Sequence, residues 1–271
     1  MHKATITHRP NNIKIIQFCF CISIFSLSFL DAQSQKLRVM TYNIHHGADR
    51  NENNTLDSMG YFLKQQNPDI VGLQEVDSVC TRSGRVDQMK RLAEITGMHY
   101  AFVRHFPYQG GAYGVGILSK YPIGKALPKV LKLLKKGPNG ASVSMLFATI
   151  HITAKKKILF ATAHYSAFDK ATRASQVNET LAYLSGNNLP VIFTGDLNAT
   201  PDTDEIQLLQ QHLYSAGALG TFTFPDTEPV KKIDYILISP AALRRVEEVT
   251  APQVHYSDHL PLLANIVLKL K

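Results

Sequence analysis

Thr194-Gly-Asp-Leu-Asn-Ala-Thr200 and Tyr256-Ser-Asp-His-Leu-Pro261 set carboxylate, amide and imidazole groups against apolar runs. Val191-Ile192-Phe193 leads into Asp196, and Leu260 onward follows His259, so each polar cluster falls where a buried strand meets a loop. Catalytic groups collect at such junctions. These side chains suit a metal-assisted phosphate site. Phosphate-ester hydrolysis needs a cation to neutralise the transferring phosphoryl group, a positioned water for in-line attack, and a group that stabilises the leaving oxygen.

Alone, an Asp-x-Asn or an Asp-His pair is weak evidence, because Asp and Asn cap turns and helices in any soluble protein. The pattern recurs, however, in Arg38-Val-Met-Thr-Tyr-Asn43, Asp69-Ile-Val-Gly-Leu-Gln-Glu75, Leu159-Phe-Ala-Thr-Ala-His164 and Lys232-Ile-Asp234-Tyr-Ile-Leu237. Each is an apolar strand-like run with one or two polar groups at an end, and so many are hard to dismiss as caps.

Strand-like segments rich in Val, Ile, Leu and Phe occupy 37–44, 69–75, 113–119, 143–152, 156–163, 190–195, 232–238 and 262–269. Helical periodicity places Leu56, Met59, Phe62 and Leu63 on one face of Thr55 to Gln66, before the Asn67-Pro68 stop. A second helix is expected over Val86 to Thr96, ending at Gly97, and a third over Asp169 to Leu184, with Ala171, Ala174, Val177, Leu181 and Leu184 inward. A further helix is expected to start at Pro201-Asp202, where Asp196 could serve as a cap instead of a catalyst. Alternating helices and strands early, with consecutive strands over 143–163, predict an α/β protein with a pair of mixed sheets.

The first 32 residues read as a secretory signal peptide. Lys3, Arg9 and Lys14 precede a largely apolar Ile15 to Leu30, and Asp31-Ala32-Gln33 offers a small residue for cleavage. Gln17 and three serines interrupt the apolar stretch, which speaks against an uncleaved anchor, and Cys19 and Cys21 each follow Phe where a lipidation site wants a small residue. A secreted or periplasmic protein of one domain, 33–271, is therefore expected, a monomer without a stable membrane anchor. It would keep only Cys80, read as a buried, inert thiol.

The 271-residue chain carries 29 basic and 21 acidic side chains, a net +8; losing three basic residues and Asp31 with the leader leaves +6. A basic surface favours phosphorylated or polyanionic substrates, although the lysines of 129–136 and 155–157 read equally as solvated edges and turns.

Taken together, Thr41-Tyr-Asn43-Ile, Leu73-Gln-Glu75-Val, Gly116-Ile-Leu-Ser-Lys-Tyr-Pro122, Ala163-His164, Gly195-Asp196-Leu-Asn198, Ile233-Asp234-Tyr-Ile and Ser257-Asp258-His259-Leu-Pro261 form an ordered set. In it the chain resembles the endonuclease/exonuclease/phosphatase superfamily of DNase I-like metal-dependent phosphoesterases. The resemblance spans nearly everything after residue 40. It implies a four-layer α/β/β/α sandwich of two mixed sheets flanked by helices, with the site at one rim.

Under that resemblance, Glu75 is the leading ligand for Mg²⁺ or Mn²⁺, with Asn43 and Asp258 beside it, because these ions prefer hard oxygen donors. Asp196 orients or deprotonates the attacking water, and Asn198 donates to a phosphate oxygen or holds that water. His259 pairs with Asp234, which fixes its tautomer, and His164 is the second imidazole, touching the phosphate or protonating the leaving group. Arg82 and Arg173 are candidate substrate contacts, since guanidinium grips phosphate bidentately; the alternative for Arg173, one helical turn from Gln176, is a brace between helix and sheet.

Two departures stand out. Many members follow the histidine with Leu-Asp, where this chain has Tyr165-Ser166, and many carry a carboxylate in the Gly-Gly-x-Tyr-Gly segment, where it has Ala112. No carboxylate partner for His164 is evident. No compact basic-aromatic insertion of the kind that reads a duplex is present either; the nearest, Tyr108-Gln-Gly-Gly-Ala-Tyr113, reads as a tight turn. The expected activity is hydrolysis of a phosphomonoester or phosphodiester by direct water attack. The alternatives are a DNase acting on nucleic acid and a non-catalytic anion-binding protein on the same fold.

Overall fold

A computed structural model describes residues 34–134 and 143–270; the expected leader lies outside them. In chain order, β1 (Ser34–Asn43) is followed by one 3-10 turn (His45–Gly47), α1 (Leu56–Gln66), β2 (Ile70–Ser78), α2 (Gln88–Thr96), β3 (His99–Tyr108) and β4 (Gly111–Ser119). Then come β5 (Ile123–Leu131), β6 (Val143–His151), β7 (Lys157–His164), α3 (Lys170–Ser185), β8 (Val191–Asp196), α4 (Asp204–His212) and β9 (Tyr214–Ser215). The chain closes with β10 (Asp234–Ile238), β11 (Leu243–Thr250) and β12 (Leu262–Lys269).

The strands form two six-stranded sheets, ordered β11-β12-β1-β2-β4-β3 and β5-β6-β7-β8-β10-β9. Both are mixed. β1 pairs with β2 in parallel across the helical crossover of α1, and β7 pairs with β8 in parallel across α3, whereas the hairpins pair antiparallel. One apolar cluster fills the space between the sheets, with Val39, Ile70 and Ile117 against Ile158, Ile192 and Ile236. Leu56, Met59 and Leu63 of α1 and Leu92 of α2 cover the outer face of the first sheet. Val177 and Leu184 of α3, with Ile206 and Leu209 of α4, cover that of the second. The result is the expected four-layer α/β/β/α sandwich.

Four strands carry no apolar run in the sequence: β3, β5, β9 and β11. These are the four sheet edges. An edge strand has one neighbour and tolerates charge, which also discourages pairing with other chains. In β11 (LRRVEEVT) no residue is buried.

The inner face of α3 also differs from its predicted stripe. Thr172, Gln176 and Thr180 are buried with Val177 and Leu184, while Ala171 and Ala174 are not. The polar residues turn inward because they hold the chain that follows β7. Gln176 Oε1 accepts from the Ser166 N–H at 3.0 Å, and the Thr180 and Tyr165 hydroxyls are 2.6 Å apart. α4 starts at Asp204 with Thr203 as its N-cap, so Asp196 does not cap it. Cys80 is buried and donates to the Tyr108 and Ala112 carbonyls; burial pushes its thiol up to about 11, which leaves it unreactive. Lys155 and Lys157 are exposed around the β6–β7 turn, in keeping with a solvated edge.

Candidate active site

Pairing register brings the polar strand ends together. In the first sheet Asn43, the last residue of β1, lies opposite Gln74, so Glu75 comes next along β2. The β2–β4 ladder slips between Leu73 and Val76, and Glu75 takes a left-handed φ of 56°. A bulge of this kind turns one residue out of the ladder and re-aims its side chain. In the second sheet His164 and Asp234 both lie opposite Asp196, from β7 on one side and β10 on the other. Gly195 makes this junction close, because a Cβ there would meet the Ala163 carbonyl at 2.4 Å.

Asn43 joins the two halves. Its amide donates to Glu75 Oε1 and to Asp196 Oδ2, both at 3.0 Å, and its own oxygen accepts from the His45 N–H. Asp196 Oδ2 is the hub, with His164 Nε2 at 3.5 Å and His259 Nε2 at 3.7 Å. Asp196 Oδ1 accepts from the Asn198 N–H, which holds Asn198 at φ 50°, and the Asn198 amide donates to the Tyr165 carbonyl. His259 Nδ1 faces Asp234 Oδ2 at 2.9 Å. The Ser257 hydroxyl ties the Asp258-His259 loop to β1, donating to the Asn43 carbonyl at 2.7 Å and accepting from the His259 N–H.

Burial would lower the pKa of His259, but the Asp234 and Asp196 carboxylates outweigh it and push the imidazole up to about 10. It is therefore a cation at neutral pH. Burial raises Asp196, assisted by the charge of Asp234 and opposed by His259. Burial would raise Glu75 as well, yet His164 and the Asn43 amide hold its carboxyl below the usual range, so it stays ionised. A carboxylate poised upward beside an imidazolium and an ionised Glu partly open to solvent are suited to different tasks. The first exchanges protons, and the second holds a cation.

Around the Asp196 hub, two groupings could hold a metal. Asp196, Asp234 and His259 offer ligand atoms within 4.8 Å of one another. There, however, His259 Nδ1 and Asp234 Oδ2 are taken up by each other at 2.9 Å, and Mg²⁺ prefers oxygen to imidazole. Glu75 and Asp258 supply hard oxygens and both line the cleft, and Asn43 adjoins Glu75 through its side-chain amide, so this set fits Mg²⁺ or Mn²⁺ better.

Glu75, His164, Asp196, Asn198, Asp258 and His259 line a cleft of about 1200 Å³, together with Arg82 and Arg173. Arg82 makes a bidentate pair with buried Asp77, at 2.8 and 2.9 Å, and lies over the rings of Tyr108 and Tyr113. Arg173 donates to Glu205 of α4 at 3.0 Å and to the Ser166 carbonyl at 3.1 Å, which braces the loop after His164. Arg173→Ala would leave Glu205 buried and unpaired, a change that typically costs about 3–5 kcal/mol. Thermal unfolding should show a clearly lower Tm, with kcat/KM of the folded fraction changed much less; the reverse pattern would make Arg173 a substrate contact.

Tyr113 and Ser257 lie in segments the sequence singled out but were given no role there, and Asp77 was not singled out. The Tyr113 hydroxyl lies 3.4 Å from His164 Nδ1, so a phenol faces the ring that lacks a carboxylate neighbour in sequence. Its signal was the Gly-Gly-x-Tyr-Gly segment. There Gln109 and Gly110 form the expected tight turn, both at positive φ, and β4 then delivers Tyr113 to the cleft.

No curated protein matches the chain. Solved structures do. An endonuclease/exonuclease/phosphatase from Beutenbergia cavernae superposes with a TM-score of 0.70 at 21% identity, covering 87% of this chain and 72% of that one. A family protein from Bacteroides thetaiotaomicron gives 0.70 at 19% identity, covering 88% and 100%. A mannosyl-6-phosphatase from the same organism gives 0.66 at 19%, covering 85% and 99%. Likeness at these identities establishes the fold. Residues 40–259 match the sequence profile of the Endonuclease/Exonuclease/phosphatase family, a stretch that runs from β1 to His259 and takes in every polar strand end described above. The chain belongs to that family and is a hydrolase of phosphate esters.

Proposed function

We propose that this protein is a secreted or periplasmic, divalent-metal-dependent phosphoesterase that hydrolyses a small phosphomonoester or phosphodiester by direct attack of water. The observation that carries the reading is the Asn43 bridge, which sets ionised Glu75 and the Asp196 hub in one cleft from two different sheets. Glu75, with Asn43 and Asp258, would hold Mg²⁺ or Mn²⁺, which supplies charge neutralisation for the phosphoryl oxygens.

The chain's own residues cover the remaining steps. Asp196 orients the nucleophilic water and accepts its proton, which its raised affinity for protons allows. Asn198, pinned by Asp196 and Tyr165, keeps an amide N–H beside the phosphate. The His259 imidazolium, fixed by Asp234, stabilises developing negative charge, a role typically worth ~10²–10⁴ in rate. His164, held by the Tyr113 hydroxyl, faces the leaving group.

The lack of a compact basic-aromatic insertion in the sequence favours a small substrate over a duplex, and the mannosyl-6-phosphatase above provides a precedent on the same fold. The leader and the net charge of +6 after its removal support an extracellular anionic substrate. A screen against sugar phosphates, nucleotides, generic diesters, plasmid DNA and phospholipids, with Mg²⁺, Mn²⁺ or EDTA, tests the reading. Metal-dependent turnover of a small ester is expected, with kcat/KM nearly insensitive to salt. A polynucleotide enzyme making 6–10 phosphate contacts would instead lose about 10³–10⁵ in affinity between roughly 50 and 200 mM salt. Localisation is tested separately, by finding the processed protein outside the cytoplasm.

A further inference from the structure

We propose that His45, His46 and Glu52 form a metal site of their own, one that takes Zn²⁺ through two imidazoles and one carboxylate. Their ligand atoms all lie within 4.8 Å of one another. The two oxygens of Glu52 are shared between the rings: Oε2 lies 2.9 Å from His46 Nε2, and Oε1 lies 3.6 Å from His45 Nε2. An ion about 2.0–2.2 Å from each donor separates its ligands by roughly 3–4 Å, so these distances bracket what Zn²⁺ requires. Both Nδ1 atoms are buried without a hydrogen-bond partner, and both rings present Nε2 to the carboxylate.

The backbone is arranged to make this meeting. His45, His46 and Gly47 follow one another in the left-handed region, at φ 42°, 45° and 78°, and Glu52 sits there too, at 64°. Non-glycine residues seldom adopt that conformation. The ring centroids end 4.3 Å apart. A simple hydrogen bond between His46 and Glu52 would account for one imidazole; it leaves the second, on the same carboxylate, without a reason. Glu52 is brought back over the histidines by a turn in which Asp49 accepts from the N–H groups of Asn51 and Asn53.

Ligand chemistry selects the ion. Two imidazoles and a carboxylate are the donors of zinc sites, whereas the oxygen set at Glu75 suits Mg²⁺. Glu52 is two-thirds exposed, which leaves the outer side of the cluster open for water or a ligand to complete four-coordination. The cluster adjoins the catalytic cleft through the His45 N–H on Asn43, so the two sites must be told apart in any test.

Equilibrium dialysis of the untagged full chain against Zn²⁺, with Mg²⁺ in excess, counts bound zinc by atomic emission. One equivalent is expected in the wild type and in Glu75→Gln. It should be absent in His46→Ala and bound about tenfold or more weakly in Glu52→Gln. Co²⁺ in place of Zn²⁺ should give visible absorption that disappears in the same variants. Because Glu52 is exposed, Glu52→Gln keeps the test decisive even if His46→Ala does not fold. Zinc uptake unchanged by Glu52→Gln, uptake abolished by Glu75→Gln, or no uptake by the folded wild type would each overturn the assignment.

Discussion

Asp196→Asn is expected to lower kcat by about 10²–10⁴-fold while the protein stays folded with an equal or higher Tm. One oxygen of Asp196 meets the Asn43 amide, His164 and His259, and the other organises Asn198, so four of the groups assigned to the reaction are positioned through this side chain or by it. The substitution keeps the shape but removes the proton acceptor. It also removes one of the carboxylates that hold His259 as a cation, which leaves Asp234, with Asp258 as a smaller contributor, to do so. Stability should not suffer, because burial already disfavours the ionised form of Asp196. Steady-state kinetics with thermal denaturation on the same preparation settles the point. A kcat within tenfold of wild type would remove Asp196 from the reaction.

Glu75→Gln should separate metal binding from folding. Wild type in saturating Mg²⁺ gains stability by mass action, about 2.7 kcal/mol at a hundred times Kd, and EDTA removes that gain. In the variant, Mg²⁺ should shift Tm little or not at all, and the Mg²⁺ concentration for half-maximal activity should rise by about 10–100-fold or more. In EDTA the two proteins should melt within a few degrees of each other, because Gln can still accept from the Asn43 amide. Equal Mg²⁺-induced stabilisation in both would relocate the ion to the Asp196, Asp234 and His259 grouping.

Much of this molecule was legible before its structure. The interior strands announce themselves because a strand buried on both faces must be apolar throughout, as Val191–Phe193 and Ile236–Ile238 are. A polar residue that interrupts such a run at its end stands out for the same reason, which is how Asn43, Glu75, His164, Asp196 and Asp234 were found. The edge strands could not be seen this way, since one exposed flank removes the demand for apolar residues. The inner face of α3 was misplaced because Thr172, Gln176 and Thr180 are buried for their hydrogen bonds, which periodicity in hydrophobicity does not register.

Composition and spacing by themselves pointed to an α/β protein with a pair of mixed sheets and to the candidate groups, and the four layers and the roles of those groups came from the resemblance carried by the ordered motifs. Tertiary structure decided which groups touch. Asn43 and Asp196 are 153 positions apart, and only the packing of two sheets with their strand ends aligned makes them partners. The same holds for Tyr113 on His164 and for Arg173 on Glu205. A side chain's hydrogen-bond partner depends on register, bulge and crossover, which are properties of the whole chain, whereas its tendency to be buried is written locally in its neighbours.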